Sequence, residues 1–146
     1  MLLLLSALAV AKDKPQDARA TIAARPDDVK AYFLHDFTPY GYSIDSDVPA
    51  QLQLSRPMST METMEWQTSH WIVGANGAQC RRQHTFLLLS GEKGTDVTMR
   101  WETICAQPRG GQFRSVNANK KEVQWMVDQL AAAKAKLEAH QPEAAK

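Results

Sequence analysis

Cysteine is scarce in this chain: 146 residues carry two, Cys80 and Cys105. No Cys-x-x-Cys spacing exists, which removes the usual signature of a thiol redox centre, and no cysteine cluster could form a zinc ribbon. Histidine is scarce too. His35, His70, His84 and His140 show no metal-ligand spacing such as His-x-x-x-His. The seven glycines make neither a phosphate-cradling loop nor a Gly-x-Ser-x-Gly elbow. Neither sign of charge dominates: 17 Lys and Arg stand against 16 Asp and Glu, interspersed, so no electrostatic footprint for nucleic acid or an anionic membrane is present. No apolar run approaches the roughly 20 residues that span a bilayer. Internal repeats are absent.

An apolar leader is present. Residues 2–5 and 7–11 are apolar, and Ala9-Val10-Ala11 has the small-x-small pattern that signal peptidase cuts after. No Lys or Arg precedes the apolar stretch, a departure from a complete signal peptide, and no cysteine follows closely enough for lipidation. Leader and cysteine pair together indicate an oxidising compartment, periplasmic or extracellular. The expected organisation is a signal-peptide remnant over residues 1–11 and a flexible linker over 12–17. One α+β domain over 18–140 and a disordered tail over 141–146 follow. Such a length builds one core and not two.

Residues 18–24 alternate weakly and predict a first strand. Arg25-Pro26-Asp27-Asp28 opens a helix, because proline suits its first position and carboxylates suit its positive end. Val29, Phe33 and Phe37 fall on one face of it. Residues 42–44 and 51–56 predict a strand pair. Met58, Met61 and Met64 are three apart, a helical turn or an irregular strand entry, and such a stripe reads first as gap-filling core. Residues 65–73 predict a strand, Asn76-Gly77 a two-residue hairpin turn, residues 79–89 and 96–105 two further strands. Asn119 with Glu122 has the form of a capping box, and Val123, Met126, Val127, Leu130 and Leu137 mark one face of a long final helix. The order is β-α-β-β-β-β-α: an antiparallel sheet with helices packed on one face.

Register can be argued further. If residues 91–94 form a four-residue loop, Ser90 faces Thr95. The same register sets Phe86 against Met99, Leu88 against Val97 and Cys80 against Cys105. Directly opposed residues at a non-hydrogen-bonded site lie about 4.5 Å apart at Cα, within disulfide range. The alternative is two free, half-buried thiols.

Carried through the Asn76-Gly77 turn, this register puts Trp71 beside Arg82 and Ser69 beside His84, while His84 meets Trp101 on the other side. Trp71, Arg82, His84 and Trp101 are therefore the candidate ligand-binding residues. They form either the wall of an apolar cleft with a few convergent polar groups, or an Arg stacked on Trp at an exposed sheet end with His84 bonded locally.

No catalytic constellation emerges. The adjacent His35 and Asp36 match the pair used by one family of metal phosphohydrolases, but the further ligands such a site needs are missing. Glu65 could share the face of His84, though far from it along the strands. Arg100 and Glu102 share a face and read as a solvated ion pair or as partners of Gln83. Neither metal nor cofactor is implied.

The element order resembles the small helix-grip domains of the START/Bet v 1-like superfamily, including the short BamC-like versions in envelope lipoproteins. The resemblance rests on Ile22 to Ala24, Pro26-Asp27-Asp28-Val29, Gly41-Tyr42-Ser43-Ile44, Leu52-Gln53-Leu54 and the long C-terminal helix. It implies a fold and carries over no functional residue. The chain is shorter than a full ligand-carrying helix-grip domain, which argues against a large internal cavity. The expected function is that of an exported binding or accessory domain contacting an envelope protein or a modest apolar ligand. The alternative is a helix-grip enzyme or small-molecule carrier that uses the Trp71, Trp101, His84 and Arg82 wall.

Overall fold

The computed structural model describes residues 17–69, 79–106, 110–115 and 119–140. Among them, strands β1 (Asp17–Ile22), β2 (Ser43–Val48), β3 (Gln51–Pro57), β4 (Cys80–Gly91), β5 (Gly94–Ala106) and β6 (Gln112–Ser115) form one antiparallel sheet in the order β1-β5-β4-β3-β2. β6 shares the outer edge of β5 with β1: β1 pairs with residues 95–100 of β5, and β6 with residues 103–106. Helices α1 (Pro26–Phe37), α2 (Thr60–Ser69) and α3 (Lys120–Ala139) complete an α+β fold. Asp17, expected in the linker, is already strand and faces Arg100.

The β4–β5 hairpin has the anticipated register, with Ser90 facing Thr95, Phe86 facing Met99 and Cys80 facing Cys105. Its loop is tighter than expected. Gly91 and Gly94 pair as well, leaving only Glu92 and Lys93 in the turn. Gly94 has φ +126°, and a Cβ there would sit 2.1 Å from the carbonyl oxygen of Ile22. The position needs glycine both for its backbone and for the close passage of β1.

Alternation then decides the faces. Phe86 and Leu88 of β4, Val97 and Met99 of β5, and Leu52 and Leu54 of β3 point to the helical side, each 2% exposed or less. α1 supplies Val29, Phe33 and Phe37 to this core, and Phe33 stacks on Phe86 with ring centroids 4.3 Å apart. Lys30 is buried beside them because its Nζ donates to Asp47 Oδ1 at 2.6 Å and to the carbonyl of Val48.

α3 opens with the expected capping box. Glu122 N–H donates to Asn119 Oδ1 and Asn119 N–H to Glu122 Oε2. Its buried stripe is Met126, Leu130 and Ala133, while Val127, expected in the core, is 43% exposed. Far along the helix, Lys134 Nζ donates to the carbonyl of Thr21, and Glu138 Oε1 accepts from Ala23 N–H. The helix is thereby fastened to β1.

The main correction concerns residues 65–73. Residues up to Ser69 belong to α2, and residues 70–73, with the Asn76-Gly77 turn, lie outside the described residues. Met61 and Met64 sit on α2 and are 71% and 62% exposed, so they do not fill the core; Met58 packs against a second small cluster of Trp66, Cys80 and Cys105. Physically, Ser59 and Glu62 cap α2 reciprocally, Glu62 N–H to Ser59 Oγ at 3.2 Å and Ser59 N–H to Glu62 Oε2 at 2.8 Å. A reciprocal cap of this kind outweighs the strand propensity of the residues beyond.

Candidate functional site

Because residues 65–69 are helical, the strand beside β4 is β3. Leu54 therefore lies beside His84, and Arg56 beside Arg82, in the places expected of Ser69 and Trp71. Trp71 itself lies outside the described residues. On the other side, Arg82 faces Thr103 and His84 faces Trp101, as anticipated.

Cys80 and Cys105 form a disulfide with Cα atoms 4.0 Å apart. Both are buried against Trp66 of α2, whose ring lies 5.8 Å from that of Phe113 on β6. The clip therefore joins β4 to β5 and also gives α2 its seat.

From this seat α2 projects Glu62 towards the sheet. Glu62 takes Arg56 in a two-pronged pair, Oε1 to Nη2 at 2.7 Å and Oε2 to Nη1 at 3.1 Å. Arg82 Nη1 stands farther off, 3.8 Å from the same carboxylate. Its guanidinium lies 4.4 Å from the ring centre of Trp101, and that of Arg56 lies 5.6 Å from the ring centre of Tyr42. The Arg56 guanidinium, above all, holds the Glu62 carboxyl down at about 2.

His84 is fully buried beneath this layer. Phe37, Tyr42, Trp101 and Trp125 surround it with ring centroids 4.9 to 5.4 Å away. Its Nε2 is 3.0 Å from the Tyr42 hydroxyl, and its Nδ1 has no hydrogen-bond partner. Burial first, then the charges of Arg82 and Arg56, push the imidazole down to about 3, so it is neutral at ordinary pH. Burial likewise raises the Tyr42 phenol, against the opposing pull of the two arginines.

Above these residues opens a cleft of about 720 Å³, between the end of α1, the sheet and the first turns of α3. Tyr42, Arg56, Arg82, Trp101 and Trp125 line it. Of the four residues singled out from sequence, Arg82 and Trp101 are therefore wall, and His84 is the buried support behind the wall. Tyr42, Arg56 and Trp125 were missed. Trp125 had a signal: residues 121, 125, 129 and 132 follow helical spacing and form a second stripe on α3, beside the core stripe.

The other candidates disperse. His35 is exposed on α1, Glu65 is exposed on α2, and His140 caps α3 with Nδ1 2.8 Å from the Lys136 carbonyl. Arg100 pairs with Asp17 through two 3.0 Å bonds, Glu102 with Arg114 at 3.4 Å, and Gln83 donates to Asp45. Arg100 and Glu102 are thus not an ion pair with each other. Among the described residues no group of three His, Cys, Asp or Glu side chains could hold a metal ion, and no helix is long and apolar enough to cross a membrane.

Compared with known proteins, the chain matches no family model, and neither a curated protein nor a solved structure resembles it significantly.

Proposed function

We propose that this chain is an exported domain of the cell envelope that binds a modest apolar small molecule in the cleft over Trp101 and Trp125. The observation that carries this reading is the cleft itself. Its volume of about 720 Å³ falls in the range of small-molecule sites, and its aromatic walls with a few converging polar groups have the usual make-up of one. A flat, exposed cluster would have favoured a protein interface instead. The leader-like residues 1–11 and the Cys80–Cys105 disulfide support export to an oxidising compartment, periplasmic or extracellular. The long helix laid across an antiparallel sheet, with a cleft at its first turns, supports the helix-grip resemblance. His84 as a catalytic acid gains no support, because it is fully buried and holds its imidazole neutral.

Native against denaturing mass spectrometry of protein purified from the periplasm tests the reading. A mass excess that disappears on denaturation, and that is lost in Trp101→Ala, is the expected result. A bare mass in native spectra, with no ligand recovered by extraction, would overturn it.

A second reading has one observation of its own. Met61 and Met64 are exposed side by side on α2, with Glu65 and Thr68 beside them. Methionine surfaces of this kind adapt to partners, and they support contact with an envelope protein. Met61→Ser with Met64→Ser would then abolish co-purification of that partner while leaving any cleft ligand in place.

A further inference from the structure

We infer that the cleft selects a ligand with one carboxylate head on a flat aromatic body, the carboxylate being held by Arg82. This rests on the cleft being the binding site.

The head group follows from the charges on the floor. Two guanidiniums, Arg56 and Arg82, face one carboxylate, Glu62. Arg56 occupies both oxygens of Glu62 at hydrogen-bond distance, and Arg82 remains 3.8 Å away. Among the described residues no other carboxylate pairs with Arg82. Its Nε is buried and has no hydrogen-bond partner, although its side chain is 22% exposed and its guanidinium borders the cleft. That Nε lies beneath the surface, so a ligand in the cleft meets Arg82 at the exposed part of its side chain. One negative charge brought there gives Arg82 the close counter-ion that Glu62, at 3.8 Å, does not provide. The remaining charged groups on the lining do not supply it. Glu122 is committed to the Asn119 cap, and Asp36 and Lys121, both on the lining, balance each other in charge. A carboxylate fits a guanidinium better than a neutral amide does, because both charge and planar geometry are matched.

The body follows from the walls. Six aromatic side chains line the cleft, including all three tyrosines of the chain, Tyr32, Tyr40 and Tyr42. Trp101 and Trp125 meet edge to face at 90° with centroids 5.3 Å apart. Arg82 lies against one of them. Trp101 is buried under Arg82, so a planar ring laid on the partly exposed Trp125 brings its substituent to the guanidinium. Glu62 then acts as the resident counter-ion: it holds Arg56 and competes for Arg82 when the cleft is empty.

The test is titration of the purified, oxidised protein with naphthalene-2-carboxylate and with naphthalene-2-carboxamide, followed by calorimetry and tryptophan emission. The two probes share the ring and differ in charge. The expected result is at least tenfold tighter binding of the carboxylate, a preference that shrinks with added salt. Arg82→Met abolishes the preference while leaving amide binding in place, which also reports that the variant is folded. Glu62→Gln is an independent second variant, and it strengthens carboxylate binding severalfold. Equal affinity for both probes in the unaltered protein would overturn the head-group inference and leave the cleft reading standing. No binding of either probe would overturn both. A carboxylate preference that persists in Arg82→Met, or weakens in Glu62→Gln, would overturn the assignment to Arg82.

Discussion

The hydroxyl of Tyr42 and Nε2 of His84 stand 3.0 Å apart, joining the edge of the sheet to its centre. Tyr42 can take this position because Gly41, with φ +85°, ends the 3-10 turn Thr38–Tyr40 that follows α1 and leads the chain into β2. The bond orients a wall residue of the cleft through a residue that never reaches the cleft. It also ties the integrity of that wall to the protonation of a buried imidazole.

The sign of the resulting pH dependence is fixed. His84 protonates at about 3 in the folded chain and near 6.5 when unfolded, so between these values the unfolded state binds the extra proton. Stability is complete above pH 6.5 and declines as the pH falls towards 3, by about 1.4 kcal/mol per unit from this group. Between pH 6.5 and 4.5 carboxylates contribute little. Urea titrations at pH 6 and pH 5 should therefore differ by about 1 kcal/mol, and His84→Gln should remove the difference.

Glu62 acts over a lower range. Its carboxyl sits at about 2 when folded, against an ordinary value of 4.5. The stability it contributes is present above pH 4.5 and is lost as the pH falls through 2. Its side chain is 31% exposed, so solvent screens part of the pair, and about 1–2 kcal/mol is the expected worth. Glu62→Gln should lower the unfolding free energy by that amount at pH 7 and by almost nothing at pH 2, as read from chemical denaturation.

Cys80 and Cys105 close 25 residues of chain and carry Trp66 on their inner side. Removing the bond by Cys80→Ala with Cys105→Ala should cost about 2–4 kcal/mol. α2 loses its seat at the same time. Tryptophan emission should therefore shift to the red below the global unfolding temperature, while the far-ultraviolet signal of the sheet persists. Simultaneous loss of both signals would show that α2 does not depend on the clip.

The two glycines of the hairpin turn separate backbone need from space. A methyl group at Gly94 would meet the Ile22 carbonyl oxygen at 2.1 Å and the Cα of Ala23 at 2.7 Å, on a backbone with φ +126°. At Gly91 the nearest atoms would be 3.8 Å and 3.9 Å away, an ordinary contact. Gly94→Ala should cost at least about 2 kcal/mol in thermal unfolding. Gly91→Ala should stay within about 0.5 kcal/mol.

How far the sequence could be read depended on the range of the forces involved. Alternation across β4 and β5 is local, and a slip of one residue would expose Phe86 and Leu88, so the hairpin register and the cysteine pairing were legible. The proline start of α1 and the capped start of α3 were legible for the same reason. α2 was not, because Met61 and Met64 mimic a buried stripe while remaining exposed. The Ser59 and Glu62 cap was the overlooked signal. Taking residues 65–73 as strand displaced β3 from its true place and hid Arg56 from the site. Tyr42, Arg56, Arg82, Trp101 and Trp125 come from four elements and the link before β2, and only the pairing of β3 with β4 and the docking of α3 bring them together. Of these, Arg82 and Trp101 could be found because they belong to the hairpin whose register was secure.

The fastening of α3 to β1 imposes an order of events on a chain emerging from the ribosome. β1 is the first of the described strands to be made, yet its strand partner begins at Thr95, and the groups that hold Thr21 and Ala23 belong to Lys134 and Glu138. Ala18 and Ile22 therefore stay wet while more than a hundred residues are added, and they are covered only when the final turns of α3 arrive. Of the six strands described, the first to be synthesised is the last to be sheltered.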